Sequence, residues 1–358
     1  HKGYNKGKMR AFYIWFLFHL WFGSSTFVPQ CEKGCDCQEV LKCVNCSKAA
    51  FTYIPGNLSS DTEHFDLSWN NLTVIPVGAL SFLWRLKVLL INDNDIRVIE
   101  DGAFSCLENL RRLDLSRNKI SSLGNGFSIG LQSLGELLLS ENQLRALNSE
   151  SFQHLDNLQK LNLSCNNISY IEIRAFRHMT YLRQLHLNEN RLATLNNNIF
   201  SMLKSLEVLN LEGNQINNTD LDVFMPLSSL TLLNLVQNQL QSIKFKTFVS
   251  IHNYETHILL AGNHWHCDCD LQRVFRKLQN TQRLILDDYE YLTCKEPHEL
   301  EGHKIVDVEN ELCFGETVTV LIITFTVIVT VVAAIVMAER NRKKRTGKHW
   351  SEESDMTY

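Results

Sequence analysis

A solenoid of short parallel strands is the fold class this sequence predicts, and three observations predict it. First, an asparagine recurs every 24 residues: Asn70, Asn94, Asn118, Asn142, Asn166, Asn190, Asn214 and Asn238, with Asn263 one residue late. Second, each asparagine closes the same frame of aliphatic residues, as in Leu110, Leu113, Leu115, Asn118, Ile120 and Leu182, Leu185, Leu187, Asn190, Leu192. Third, a phenylalanine follows the asparagine after nine or ten residues, at Phe104, Phe127, Phe152, Phe176, Phe200, Phe224 and Phe248, with Leu80 in the first slot. A fixed period of this length marks one structural unit that buries its apolar face only by stacking on its neighbours.

The frame Leu-x-x-Leu-x-Leu-x-x-Asn-x-Leu is that of leucine-rich repeats. Each Leu-x-Leu should form a short strand paired in parallel with the next, about 4.8 Å away. The expected result is a right-handed horseshoe with a concave sheet and an irregular convex side. Aliphatic positions point inward. The asparagine also points inward, where its amide bonds backbone groups that adjacent turns leave unpaired. The phenylalanines should stack beneath the convex side.

Eight repeats are expected over 62–254, between cysteine-rich caps at 26–61 and 255–315. Residues 1–8 precede the first Met and are set aside. Residues 9–25 read as a signal peptide: Arg10, an apolar stretch from Ala11 to Phe22, then small residues and cleavage after Ser25. Val318 to Ala338 is 21 residues without a charge, long enough for a hydrocarbon core of about 30 Å. Arg340, Arg342, Lys343, Lys344, Arg345 and Lys348 follow it, which places the repeats outside and the tail, 339–358, in the cytoplasm. The expected location is the plasma membrane, as a single-pass type I protein.

Outside the signal-like segment and the tail, 35 acidic residues face 25 basic ones. That balance argues against nucleic acid or heparin-like partners. No Ser-His-Asp, paired-carboxylate or phosphate-loop constellation can be assigned, so no catalytic residue, cofactor or enzyme activity is expected. His264, His266, Cys267, Cys269 and Asp270 have the composition of a zinc site, but an oxidising compartment favours disulfides, and no metal is expected.

The residue between the two leucines of each strand should face outward. Along the array these are Asp66, Leu90, Asp114, Leu138, Asn162, His186, Asn210, Asn234 and Leu259. Leu90, Arg112, Asp114, Leu138 and His186 are the candidate partner contacts, with Leu90 and Leu138 expected as exposed leucines amid charges. Sequons stand at Asn57, Asn71, Asn162, Asn167 and Asn217, and at Asn45 beside a cysteine. A glycan at Asn162 would mask the middle of the concave face. The terminal Asp355-Met356-Thr357-Tyr358 has the form of a PDZ ligand.

Eleven cysteines fall in two flanking clusters plus Cys106 and Cys165. The front cluster, Cys31, Cys35, Cys37, Cys43 and Cys46 before Ile54-Pro55, resembles the amino-terminal cap of extracellular leucine-rich-repeat proteins. Asn263-x-Trp265-x-Cys267-x-Cys269, with Cys294 and Cys313, resembles their carboxy-terminal cap. The resemblance implies the pairs Cys31–Cys37, Cys35–Cys46, Cys267–Cys294 and Cys269–Cys313. Cys43 is extra to the pattern and is the alternative to Cys46. Cys43, Cys106 and Cys165 are left as free thiols, or Cys43 as a bridge to a second chain in a homodimer.

The segment from Cys31 to Lys348 thus resembles single-pass leucine-rich-repeat membrane proteins: adhesion proteins and co-receptors, the slit- and trophoblast-glycoprotein-like groups, and auxiliary subunits of large-conductance potassium channels. What the resemblance implies is a cell-surface recognition protein with an extracellular or membrane protein ligand. The other expectation it raises is an auxiliary subunit acting in cis on a membrane channel or receptor.

Overall fold

A computed structural model describes residues 31–253, 255–308 and 312–353. The signal-like segment and Tyr358 lie outside the described residues. The described residues form two compact units, one of residues 31–192 with 197–209 and 226–229, the other of 193–196, 210–225 and the described residues from 230 on.

In the first unit the front cap begins with an antiparallel pair, Asp36–Gln38 against Cys43–Asn45. Cys43–Asn45 then pairs in parallel with His64–Asp66, and the sheet continues through Val88–Leu90, Arg112–Asp114, Glu136–Leu138, Lys160–Asn162 and Gln184–His186. Every pairing is in register, so Phe65, Leu89, Leu113, Leu137, Leu161 and Leu185 form one buried row. The cap is therefore joined to the sheet edge by backbone hydrogen bonds. This covers the open edge that the first repeat would otherwise expose.

The asparagines lie inside, as their spacing requires. Asn94 Nδ2 donates to the carbonyls of Leu67 and Ile91, and its Oδ1 accepts from the Leu72 amide at 3.0 Å. The same pattern recurs at Asn118, Asn142 and Asn166. The residue before each asparagine takes a left-handed conformation, with φ between 52° and 58° at Trp69, Asp93, Arg117, Glu141, Cys165 and Glu189. Non-glycine residues seldom go there. Here the turn is what swings the asparagine from the end of the strand into the core.

The phenylalanine ladder is buried throughout. Phe176 stacks on Phe200 at 6.4 Å and 12°, whereas Phe104 meets Phe127 edge-on at 5.9 Å and 89°. The exception has a local cause. Phe127 follows Asn118 after nine residues, where the other phenylalanines follow their asparagines after ten. The shortened loop also omits the small outer strand that other repeats pair, as in Val74–Ile75 with Val98–Ile99 and Ala146–Leu147 with Tyr170–Ile171. Glycine makes the compression feasible. Gly130 has φ +87°, and a Cβ there would stand 2.2 Å from the Phe104 carbonyl oxygen. Gly130→Ala should therefore cost more than about 2 kcal/mol by strain and overpacking. Urea unfolding of the purified variant checks this, and a change below 0.5 kcal/mol (the ordinary range for surface substitutions, roughly) would refute it.

In the second unit Leu232–Asn234, Thr256–Leu259 and Leu284–Leu286 pair in parallel. The rear cap packs Trp265, fully buried, edge-on to Phe275 at 5.5 Å, with Tyr289 beyond it. Its helix Cys269–Gln279 starts at Asp268, whose side chain accepts from the Leu271 amide at 2.7 Å. This is the N-cap arrangement expected for Asp before an amphipathic helix.

Asp288 solves the end of the array. In earlier repeats the corresponding amides have other acceptors: Leu67 donates to the Leu90 carbonyl of the next turn, and Ser68 to Asp66 Oδ1 of its own strand. Leu260 and Ala261 instead donate to Asp288 Oδ2 at 2.7 and 2.6 Å. Burial pushes the Asp288 carboxyl above its ordinary pKa, against the pull of those two amides. Asp288→Ala should cost roughly 2–4 kcal/mol, because it strands two backbone donors. Asp288→Asn keeps an acceptor oxygen and should cost clearly less. Equal losses for the two variants in thermal unfolding would exclude the capping role.

Phe314–Glu353 is one continuous helix of 40 residues. Its portion Val318–Lys343 is long and apolar enough to cross a membrane, with mean hydropathy 3.0.

Candidate recognition face and its flanks

The outward face of the first unit's sheet carries three parallel columns of side chains. The central column is Asp66, Leu90, Asp114, Leu138, Asn162 and His186, directly paired in that order. Beside it run His64, Val88, Arg112, Glu136, Lys160 and Gln184. A third column just before the strands holds Glu63, Lys87, Arg111, Gly135, Gln159 and Arg183.

Charges in these columns answer one another across repeats. Glu136 takes Arg112 at 3.3 Å and Lys160 at 3.1 Å. Glu63 bridges Lys42 of the cap, at 2.9 Å, and Lys87. Bonds from Lys87 and then Lys42 hold the Glu63 carboxyl down at a pKa of about 2. On the flank Arg117 reaches Asp93 at 2.8 Å and Glu141 at 3.9 Å. The basic side chains of these pairs are exposed, while Glu63, Glu136 and Asp93 are half-buried; each pair adds little stability, and together they fix where charge is presented.

The expected exposure of Leu90 and Leu138 is corrected here: both are half-buried. Leu90 lies between Asp66 and Asp114, and Leu138 between Asp114 and Asn162, on strands about 4.8 Å apart, so neighbours shield their flanks. Asp114 is half-buried too, and its Oδ1 accepts from the Ser116 amide at 3.0 Å. Arg112 is exposed. His186 is half-buried, and burial, followed by the charge of Lys160, lowers its pKa, which favours the neutral ring. The five candidate contacts thus share one sheet face, with Arg112 the most accessible. Sequence reasoning missed the charge ladder, although the 24-residue offset between Arg112, Glu136 and Lys160 carries its signal.

The structure joins Cys31 to Cys37, Cys35 to Cys46, Cys267 to Cys294 and Cys269 to Cys313. Cys43 is free and half-buried, while Cys106 and Cys165 are free and exposed. Partial burial, then Glu141 and Glu189, raises the Cys165 thiol pKa and makes the reactive thiolate scarcer. Cys267 and Cys269 are taken up in disulfides, and His266 Nδ1 faces Glu296 at 3.2 Å. Among the described residues no group of three metal-ligating side chains converges. Of the sequons, Asn57, Asn71 and Asn217 are exposed, and Asn162 and Asn167 half-buried.

The leucine-rich-repeat family model matches in overlapping windows that run continuously from residue 61 to 240. The chain belongs to the leucine-rich-repeat family. It is 39% identical over 83 residues to leucine-rich repeat-containing G-protein coupled receptor 5A of Xenopus laevis, a match covering 23% of this chain and 9% of the receptor. It is 38% identical over 84 residues to leucine-rich repeat-containing protein 3 of Danio rerio, covering 23% of this chain and 32% of that protein. These matches thus span under a third of either relative's length.

Among solved structures, human 5T4 (trophoblast glycoprotein) superposes with a TM-score of 0.58 at 23% identity, covering 78% of this chain and 97% of that one. A chain from the complex of Latrophilin 3, Unc5D and FLRT2 gives 0.61 at 23% identity, covering 77% and 97%. At that identity the likeness concerns the fold.

Proposed function

We propose that this chain is a cell-surface recognition molecule, an adhesion protein or co-receptor, that binds a protein partner through the outward face of its repeat sheet. The observation that carries the reading is the first unit's in-register sheet, whose charged columns flank a central column of mixed polar and leucine side chains. Such a surface is broad and open, as protein recognition requires, with no enclosed reaction site. Membership of the family and the apolar helix Val318–Lys343 support placement at a membrane. The basic run after that helix favours the repeats outside the cell. The Latrophilin 3, Unc5D and FLRT2 assembly, and Toll with Spätzle, are examples of this fold within protein complexes.

A glycan at Asn162 would confine the partner to one side of the face. Asn162 Oδ1 accepts from the Ser164 amide and hydroxyl at 3.0 and 2.7 Å, which turns that oxygen inward along the chain. The partner then engages the columns around Arg112 and Leu90. Peptide mass spectrometry of secreted protein should find Asn162 glycosylated; an unmodified Asn162 would return the whole face to the partner.

The test of the main reading is saturable binding of soluble protein, residues 26–315, to cells that lack the full chain. Binding competed by unlabelled protein is the expected result. Absence of binding from folded, glycosylated material would favour the cis-acting auxiliary role, to be followed by channel recordings.

A further inference from the structure

We infer that Asn71 carries an N-linked oligosaccharide whose first sugar packs on the indole of Trp69, making Trp69 a built platform for that glycan. The inference rests on the reading that the repeats lie on the secretory side of the membrane.

Trp69 is otherwise hard to account for. It is 54% exposed, a large apolar surface left in water. Its position recurs in the repeats that follow as Asp93, Arg117, Glu141, Cys165, Glu189, Gly213 and Gln237, none of them aromatic. Its backbone is left-handed, φ 58°, a conformation poorly suited to a bulky side chain. Two residues later stands Asn71, the acceptor of Asn71-Leu72-Thr73. No other sequon in the chain has an aromatic two residues upstream: Cys43, Pro55, Lys160, Cys165 and Gln215 occupy that place.

The geometry places the pair together. Asn70, between them, turns its amide into the core, where Nδ2 donates to the carbonyls of Cys46 and Leu67. Trp69 and Asn71 on either side are therefore both directed to solvent, and both are exposed. The turn is pinned twice, by the Trp69 amide on the Asn92 carbonyl at 3.1 Å and the Asn71 amide on the Phe51 carbonyl at 2.8 Å. Lys48 lies over the Trp69 ring at 5.8 Å. An indole has two faces, and that single contact leaves area for a second. A pyranose presents a face of C–H bonds, apolar enough to cover an aromatic ring and polarised to suit its negative π face.

The modification is a group transfer. Asn71 Nδ2 forms a bond to the anomeric carbon of a lipid-diphosphate-linked oligosaccharide. The bond from that carbon to the diphosphate oxygen breaks, the lipid diphosphate leaves with the bonding pair, and the amide loses one proton.

The test uses the full chain made in secretory cells and purified in detergent. Glycopeptide mass spectrometry reads Asn57, Asn71 and Asn217, and hydroxyl-radical footprinting reads Trp69, with Trp84, 49% exposed, as the internal reference. Asn71 should be occupied. In Asn71→Gln, Trp69 should oxidise about twofold faster or more as one ring face is uncovered, with Trp84 unchanged. Equal Trp69 rates in the two proteins would overturn the platform. An unmodified Asn71 beside glycosylated Asn57 and Asn217 would overturn the proposal and leave the outward placement standing. All three unmodified would overturn both.

Discussion

Replacing Asn118 by Asp should cost roughly 3–5 kcal/mol at neutral pH, more than replacing it by Ala, although Asp is the closer match in shape. Asn118 is buried, and its Nδ2 donates to three carbonyls, those of Ile91, Leu115 and Ser116, at 3.0, 3.0 and 3.2 Å. A carboxylate there sets a negative oxygen against all three. Asn118→Ala is milder because every one of those carbonyls has a second donor. Ile91 keeps Asn94, Leu115 keeps Asn142, and Ser116 keeps the Asp93 amide. The group left without a partner is the Ile96 amide, which Asn118 Oδ1 now accepts at 3.0 Å, a loss of about 1–3 kcal/mol.

The aspartate variant should also acquire a pH dependence. Burial and the carbonyls raise the introduced carboxyl's pKa in the folded state above its unfolded value near about 3.9. Its most favourable contribution is then present below the unfolded value and is lost as pH rises through the folded value. The stability deficit against the natural chain should shrink on acidification. Urea unfolding of both variants at pH 4 and pH 7 decides it. A deficit independent of pH, or an aspartate variant no worse than the alanine one at pH 7, would refute the account of the ladder.

That ladder was legible in the sequence because its signal is one residue type at one spacing. The burial of Phe104, Phe127 and Phe176 was legible for the same reason, and the cysteine pairs were what the resemblance of the front and rear clusters to known caps implied. What stayed hidden depends on neighbours that no local pattern names. The left-handed turn before each asparagine holds Trp69, Asp93, Arg117 and Cys165 alike, so composition gives no cue. The turn is imposed by anchoring the asparagine in the previous repeat. The shielding of Leu90 and Leu138 comes from the strands to either side. Asp288 was unread because the amides it covers lie 27 and 28 residues earlier in the chain. The candidate face was legible as positions, but its electrostatic order was not, since Glu136 serves Arg112 and Lys160 only once the register aligns them.

Register also governs the second large effect. Phe176→Ala should destabilise the protein by about 3–5 kcal/mol, the range for emptying a well-packed aromatic site. Phe176 is 1% exposed and stacked on Phe200, and Leu185 of the same repeat is buried and fixed by its pairing with Leu161, so the backbone cannot readily collapse into the gap. Phe176→Leu keeps most of the volume and should cost under about 1.5 kcal/mol. Where the damage appears is the sharper test. A repeat touches only its neighbours, so stability is a sum of local and nearest-interface contributions. Hydrogen exchange should therefore accelerate at the backbone amides near Phe152, Phe176 and Phe200. Amides of the front cap, such as Cys46 bonded to the Asp66 carbonyl at 2.8 Å, should keep their protection. Uniform loss of protection from Cys46 to Phe200 would mean that this unit opens as one cooperative block, and the nearest-neighbour picture would fail for it. Because the Phe104–Phe127 contact is edge-on rather than stacked, Phe127→Ala should loosen its neighbour Phe104 less than Phe176→Ala loosens Phe200. The same exchange experiment measures both.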